Sequence, residues 1–229
     1  MGLHSTILNS YIFKKEPVSL VHFITNRCNA RCKHCFIDFD SPETFKGELT
    51  TEEIRKLASN LGNSIYNVNL TGGEPFIRRD IFEIAEAYYN LANVKSIFIT
   101  TNGCYTEWTK EFIDKFIASP FSSRNLVFSF SIDNFEEKHD ENRRVSGLFK
   151  NVMATYNLVE SYKRKNVMAN IAITITQHNC DDVMELYAFL KKMGVRSITA
   201  TAMREEGVVT KIPAEIKMKI SQVYAKLTQ

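Results

Sequence analysis

The sequence predicts an α/β fold, a partial (β/α)6 TIM-like barrel with a mostly parallel sheet and outer helices. Short apolar, β-branched runs alternate with longer amphipathic segments, which is the sequence form of repeated βα units. The strand candidates are apolar almost throughout, as suits strands covered on both faces. Six such units can be counted in the 229 residues, against the eight of a closed barrel, so the sheet is expected to splay open.

In chain order, the first strand is expected at residues 20–25, where Leu20, Val21, Phe23 and Ile24 supply the apolar run and His22 reads as a satisfied structural residue. A helix follows at 51–61, announced by Thr50 and Glu53 at the spacing of a capping box. The second strand, 67–71, leads to a helix at 80–91 with Asp80 at its N-cap, and the third, 96–101, to a helix at 108–118. The fourth strand, 126–132, precedes a helix at 149–163. The fifth, 170–176, precedes one at 181–193, with Asp181 as N-cap and Gly194 as its stop. The sixth strand, 197–202, ends in a helix at 213–227 whose first turn suits Pro213. Phe82, Tyr88, Phe112, Phe116 and Tyr156 fall at helical spacing and are expected to pack helices onto the sheet.

Length and composition fit one globular domain, residues 18–229, preceded by a flanking segment 1–17. No apolar run approaches the ~20 residues needed to cross a bilayer, and the start lacks the blocks of a signal peptide, so a soluble cytoplasmic protein is expected. Met1 to Thr6 match a short myristoylation pattern, a brief match read as chance or a cloning remnant. A net charge of +3 is too small to argue for nucleic acid, and Lys163-Arg164-Lys165 reads as a solvated helix end.

Within the loop after the first strand lies Cys28-Asn29-Ala30-Arg31-Cys32-Lys33-His34-Cys35. Three thiolates this close can hold an iron-sulfur cluster and leave one iron open, whereas four would complete an electron-transfer cluster. Structural zinc is the alternative, with His34 as fourth ligand; however, adjacent His34 and Cys35 seldom reach one ion, and no second ligand pair follows. Disulfides fit poorly with five cysteines, an odd number, and Cys104 and Cys180 read as ordinary thiols. Asp38 and Asp40 are expected to shape the loop enclosing the cluster.

In barrels of βα units, functional residues gather in the loops after the C-terminal ends of the strands. Thr71-Gly72-Gly73-Glu74-Pro75 follows the second strand, its glycines allowing close backbone approach to a ligand and Pro75 stiffening the exit. Thr101-Asn102-Gly103 follows the third and by itself reads as a tight turn. Ser131 and Asp133, at the end of the fourth, share one side by the period of two and offer oxygens suited to ribose hydroxyls, or to capping a turn. Thr176 and Asn179 follow the fifth, where they read as nucleoside contacts or, for Asn179, as a helix cap.

With these residues in place the chain resembles the radical SAM superfamily. The match rests on the C-x3-C-x2-C spacing of Cys28, Cys32 and Cys35, aromatic His34 before the last cysteine, and Gly72-Gly73-Glu74-Pro75. It is similar to the branch of molybdenum-cofactor biosynthesis proteins and peptide-modifying enzymes with SPASM or twitch extensions, through Thr101-Asn102-Gly103, Ser131-Ile132-Asp133, His139-Asp140, Arg143 and Gly147.

The resemblance implies a 4Fe-4S cluster on the three cysteines and S-adenosylmethionine on the open iron. One electron from the reduced cluster would then release a 5′-deoxyadenosyl radical that abstracts hydrogen from a substrate, possibly a peptide or a cofactor precursor. It implies that Gly72, Gly73 and Glu74, with Pro75, meet the methionine amine largely through backbone groups. It also implies that Ser131 and Asp133 lie near the ribose, that Arg143 pairs the carboxylate with Arg144 and Arg204 as alternatives, that Asn102 assists, and that Ala202 and Met203 border the adenine. A one-electron donor such as flavodoxin or ferredoxin is the implied partner. The alternative function is a non-catalytic iron-sulfur module for electron transfer or assembly. Members of that branch usually continue into a cysteine-rich auxiliary-cluster domain, whereas this sequence stops at Gln229, so a fragment of a longer protein is expected.

Overall fold

The computed structural model describes residues 17–62, 64–203, 205, 207–208 and 212–227. The starting segment Met1 to Thr6 and Arg204 lie outside them. Six strands, β1 (Ser19–Thr25), β2 (Asn67–Gly72), β3 (Ser96–Thr101), β4 (Asn125–Ser131), β5 (Val167–Ile175) and β6 (Ile198–Ala202), form one sheet. Every neighbouring pair is parallel and the strand order follows the chain, so β1 and β6 are edges and the barrel stays open. Edge β6 is exposed or half-exposed throughout.

The helices are α1 (Thr51–Asn60), α2 (Ile81–Leu91), α3 (Thr106–Ala118), α4 (Glu136–Arg143), α5 (Leu148–Ser161), α6 (Val183–Lys192) and α7 (Ala214–Leu227). The expected elements sit within a few residues of these bounds, and Pro213 stands immediately before α7. Thr50 and Glu53 complete the capping box of α1, and Gly194, at φ +91°, follows α6. Asp80 takes the expected N-cap position of α2, although its carboxylate goes to Arg78 and Thr51 and not to the α2 amides. The other expected cap differs: Asp181 pairs with Lys219 while Asp182 takes the N-cap position. In both cases a cation competes successfully with neutral backbone donors.

Helix α4 escaped the sequence reading. Its run Glu136-Glu137-Lys138-His139-Asp140-Glu141-Asn142-Arg143 has no apolar periodicity, and it is held by tertiary contacts rather than by an amphipathic face.

The core lies between the sheet and the helices. Tyr88, Phe112, Phe116 and Tyr156 are buried there and Phe82 packs against them. His22 accepts its expected structural place, its Nδ1 2.7 Å from the Tyr88 hydroxyl; burial, then the charge of Arg78, pushes its pKa down to about 4.

The opposite, concave face mixes polar side chains with apolar ones such as Phe23, Phe98, Val127 and Met168. Asn67 donates to Ser19 (2.9 Å), Thr100 to Asn69 (3.1 Å), Asn125 to Ser96 (3.3 Å), and Asn170 to Thr199 (3.0 Å). A closed eight-stranded barrel fills this space with branched apolar side chains; here the inner side chains satisfy one another across strands and leave an open trough. Among the described residues no helix is long and apolar enough to cross a membrane.

Candidate active site at the C-terminal mouth of the barrel

Cys28, Cys32 and Cys35 leave the end of β1 and line a cavity of about 630 Å³ at the C-terminal ends of the strands. Their loop is fixed from three directions. Arg31 and Lys33 donate backbone amides to the carbonyls of Arg143 (3.1 Å) and Asn142 (2.9 Å) at the end of α4. Asn102 Nδ2, beyond β3, donates to Asn29 Oδ1 at 2.8 Å. Asp38 Oδ1 accepts from the Asp40 amide at 3.1 Å, turning the outer part of the loop as expected.

The donor set fits a cluster. The Ala30 amide points at Cys28 Sγ, 3.4 Å away. Burial pushes all three thiols up, Cys28 to about 11, where the Ala30 amide opposes and the charge of Glu74 adds; at Cys32 and Cys35 Arg143 opposes. A coordinated metal removes such protons outright. Among the described residues no three His, Cys, Asp or Glu side chains converge on a single ion. His34 lines the cavity beside the cysteines, its Nδ1 3.2 Å from Asn142 Nδ2 on α4.

The glycine pair has a more specific role than close approach to a ligand. Gly72, at φ +143°, sits where the register of β1 against β2 slips, and a Cβ there would lie 2.0 Å from Thr25 O; one on Gly73 would lie 2.2 Å from Arg27 O. The amides of Gly73 and Glu74 already donate to Thr25 O (2.8 Å) and Arg27 O (2.9 Å). Carbonyl oxygens are therefore what this turn can offer a ligand, and they suit N–H donors.

Glu74 itself is fully buried and does not line the cavity. It accepts from Thr101 Oγ1 (2.7 Å), the Asn102 amide (2.7 Å) and the Phe76 amide (3.1 Å), stapling the second loop to the third. Burial pushes its carboxyl up to about 6, against the three hydrogen bonds that favour ionisation. Pro75 is buried at the start of the 3-10 turn Pro75–Ile77, so of this motif Thr71 and the two glycines line the cavity while Glu74 and Pro75 do not. Asn102 faces it too, while its Oδ1 accepts from the Cys104 amide at 3.0 Å; the turn-forming and loop-holding roles coexist.

Ser131 lines the cavity but Asp133 does not, which departs from the paired ribose contact. The strand ends at Ser131, so the period of two no longer governs Asp133. Asp133 Oδ2 accepts from Arg143 Nε (3.0 Å) and Nη2 (2.6 Å), and Oδ1 from the Thr174 amide (3.1 Å). Burial opposes its ionisation, yet Arg143, His34 and His139 together hold its carboxyl below the usual range. Arg143 lines the cavity with its guanidinium so engaged, and Arg144 turns away as the left-handed C-cap of α4.

His139 Nδ1 faces the Asp133 amide at 3.3 Å, and Asp140 caps α5 by accepting from the amides of Gly147 (2.5 Å) and Phe149 (2.8 Å). Asn179 donates to the carbonyls of Asp133 (2.7 Å) and Thr174 (2.8 Å) and accepts from the Thr176 amide, an internal brace. Ala202 and Met203 line the exposed side of the cavity. Sequence reasoning missed Asn29 and Asn142, which hold the cysteine loop, and Thr174, Thr201 and the wall of Phe23, Phe36 and Phe39, which line the cavity; Asn29, inside the cysteine run, was the visible signal.

An open six-unit parallel βα barrel with three cysteines and a cavity of ligand size at its C-terminal mouth defines a class of barrel with a thiol-lined site at its functional end. This chain belongs to the radical SAM superfamily, whose family model matches residues 23–190. It is 30% identical over 181 residues to the pre-heme d1 synthase of Dinoroseobacter shibae, covering 79% of this chain and 42% of that protein. It is 43% identical over 108 residues to molybdenum cofactor biosynthesis protein 1 of Bos taurus, 45% of this chain and 17% of that one. The chain thus spans less than half the length of these curated relatives. Among solved structures, native anSMEcpe with bound AdoMet and Kp18Cys peptide shares the fold with a TM-score of 0.68 at 20% identity, over 91% of this chain and 59% of that one. The expected placement beside molybdenum-cofactor biosynthesis proteins holds.

Proposed function

We propose that residues 18–229 form a radical SAM core that cleaves S-adenosylmethionine reductively and abstracts hydrogen from a substrate. The observation that carries this is the convergence of Cys28, Cys32 and Cys35 with Gly72, Gly73, Ser131 and Arg143 around one cavity. The three cysteines would hold a 4Fe-4S cluster. When bound, the cluster and S-adenosylmethionine supply one-electron scission to methionine and a 5′-deoxyadenosyl radical.

The protein's own work is to bind, orient and exclude water. Carbonyls of the Gly72–Gly73 turn accept from the methionine amine, and Asn102 borders it. Arg143 offers its remaining N–H groups to the carboxylate, a charge-assisted contact whose geometry Asp133 sets. Ser131 meets the ribose, and Ala202 and Met203 flank the adenine. Glu74, Pro75 and Asp133 support these groups from behind. Phe23, Phe36 and Phe39 shield the cavity from water and stray hydrogen donors.

Five free cysteines and the need for a reductant such as flavodoxin or ferredoxin favour the cytoplasm. Kinship with a pre-heme d1 synthase and a molybdenum-cofactor protein supports a cofactor precursor as substrate, with a peptide as the second class.

The test is anaerobic reconstitution with iron and sulfide, reduction, and chromatography for 5′-deoxyadenosine and methionine. Formation of both is expected even without substrate. A full cluster with neither product would leave the electron-transfer or assembly module as the function.

A further inference from the structure

The concave trough has a second mouth, at the N-terminal ends of the strands. There Phe98, Val127, Met168 and Asn170 floor a cavity of about 620 Å³ rimmed by Lys163, Arg164, Lys165 and Arg196. The lining contains one acid, Glu160, and Arg196 pairs with it. The side chains of Lys163, Arg164 and Lys165 are exposed and meet no carboxylate among the described residues. Lys95 and Arg124 stand on the same end, just before β3 and β4; Arg124 Nη2 lies 2.6 Å from Asn93 Oδ1. Four basic side chains and one acid thus surround an opening whose floor is largely apolar.

This opening and the cysteine-lined cavity share one face. Phe98 and Thr100 on β3, Val127 and Ser131 on β4, and Asn170 and Thr174 on β5 alternate onto the same side, one of each pair lining each cavity. Along β5 the two are about 13 Å apart, four residues at about 3.3 Å each.

We infer that the lower mouth holds the anionic end of the substrate, a molecule with a flat or chain-like apolar body and one or more carboxylates. The body lies over Phe98, Val127 and Met168 and reaches up the trough, while Arg164, Lys163 and Lys165 pair the carboxylates. This rests on the radical reading of the upper cavity and deepens it by naming the substrate's chemistry.

Fluorescence titration with pyrenebutyrate and with uncharged pyrenebutanol, on the same chain without cluster or S-adenosylmethionine, tests it. The acid should bind at least tenfold more tightly in low salt, the ratio should fall towards one at high salt, and the exposed double variant Arg164→Gln/Lys165→Gln should abolish it. Equal affinities, or a ratio that survives the double variant, would overturn the inference. Poly-L-glutamate binding that leaves pyrenebutyrate in place would assign the basic rim to an acidic protein and overturn it too. Substrate-free 5′-deoxyadenosine formation, measured on the reconstituted double variant, should equal that of the parent, which separates failure here from failure of the radical reading.

Discussion

Arg143 grips Asp133 through two nitrogens on a single oxygen, Nε at 3.0 Å and Nη2 at 2.6 Å, with both residues buried. The same arginine lines the cavity, and its carbonyl holds the amide of Arg31 inside the cysteine loop. One residue therefore joins the end of β4, helix α4 and the proposed cluster loop.

Removing that arginine strands a buried carboxylate. Arg143→Ala should cost about 3–5 kcal/mol in urea denaturation, and Asp133→Asn, which leaves the buried guanidinium without its counter-charge and turns an N–H₂ towards Arg143 or the Thr174 amide, should cost a comparable amount. Arg143→Lys should not restore S-adenosylmethionine binding, because an ammonium cannot serve Asp133 and a second carboxylate with a planar fork. Isothermal titration of the reconstituted variants reads this.

Glu74 gives a pH signature. Its folded pKa, about 6, stands above the ordinary 4.5, so its contribution to stability is full below about 4.5 and lost as pH rises through about 6. The loss amounts to about 2 kcal/mol at neutral pH, from 1.36 kcal/mol per unit. Glu74→Gln should flatten the difference in unfolding free energy between pH 4.5 and 6. It should also lower stability by about 1–3 kcal/mol, since in either orientation the amide N–H₂ must face a backbone N–H, that of Phe76 or that of Asn102. Parallel denaturation series of the two proteins check both signs.

Gly73→Ala should damage the cysteine loop without touching a cysteine. Its Cβ would meet the Arg27 carbonyl at 2.2 Å, backbone against backbone, so the loop must move. Iron bound per chain after reconstitution should fall severalfold while far-ultraviolet circular dichroism stays native. Unchanged iron content would show that the loop yields freely.

Cys32→Ala should abolish iron-sulfur absorbance and 5′-deoxyadenosine formation together, whereas Cys180→Ala, in the buried core away from the cavity, should retain both. Asn102→Ala, which cuts the 2.8 Å link to Asn29, should fall between them, loading iron but losing it faster in air.

Six βα units, their strand order and the functional end were legible because apolar periodicity reports burial, and βα connections leave few topologies open. The cysteine spacing and the glycine pair were legible because they are local. Helix α4 was not, since its stability comes from Asn142 and Arg143 meeting a loop more than a hundred residues earlier in the chain.

The amino-acid order by itself determined the open parallel barrel, the position of the three cysteines after β1 and the family to which the chain belongs. Tertiary structure decided what each polar residue does. Asp133, predicted to face a ligand, turns inward to Arg143; Glu74 becomes a staple between loops; and the basic run Lys163-Arg164-Lys165, solvent-exposed at the end of α5 as expected, also rims a cavity. A buried charge must find its partner wherever the fold provides one, and that partner lies far away in sequence, beyond the reach of spacing or periodicity.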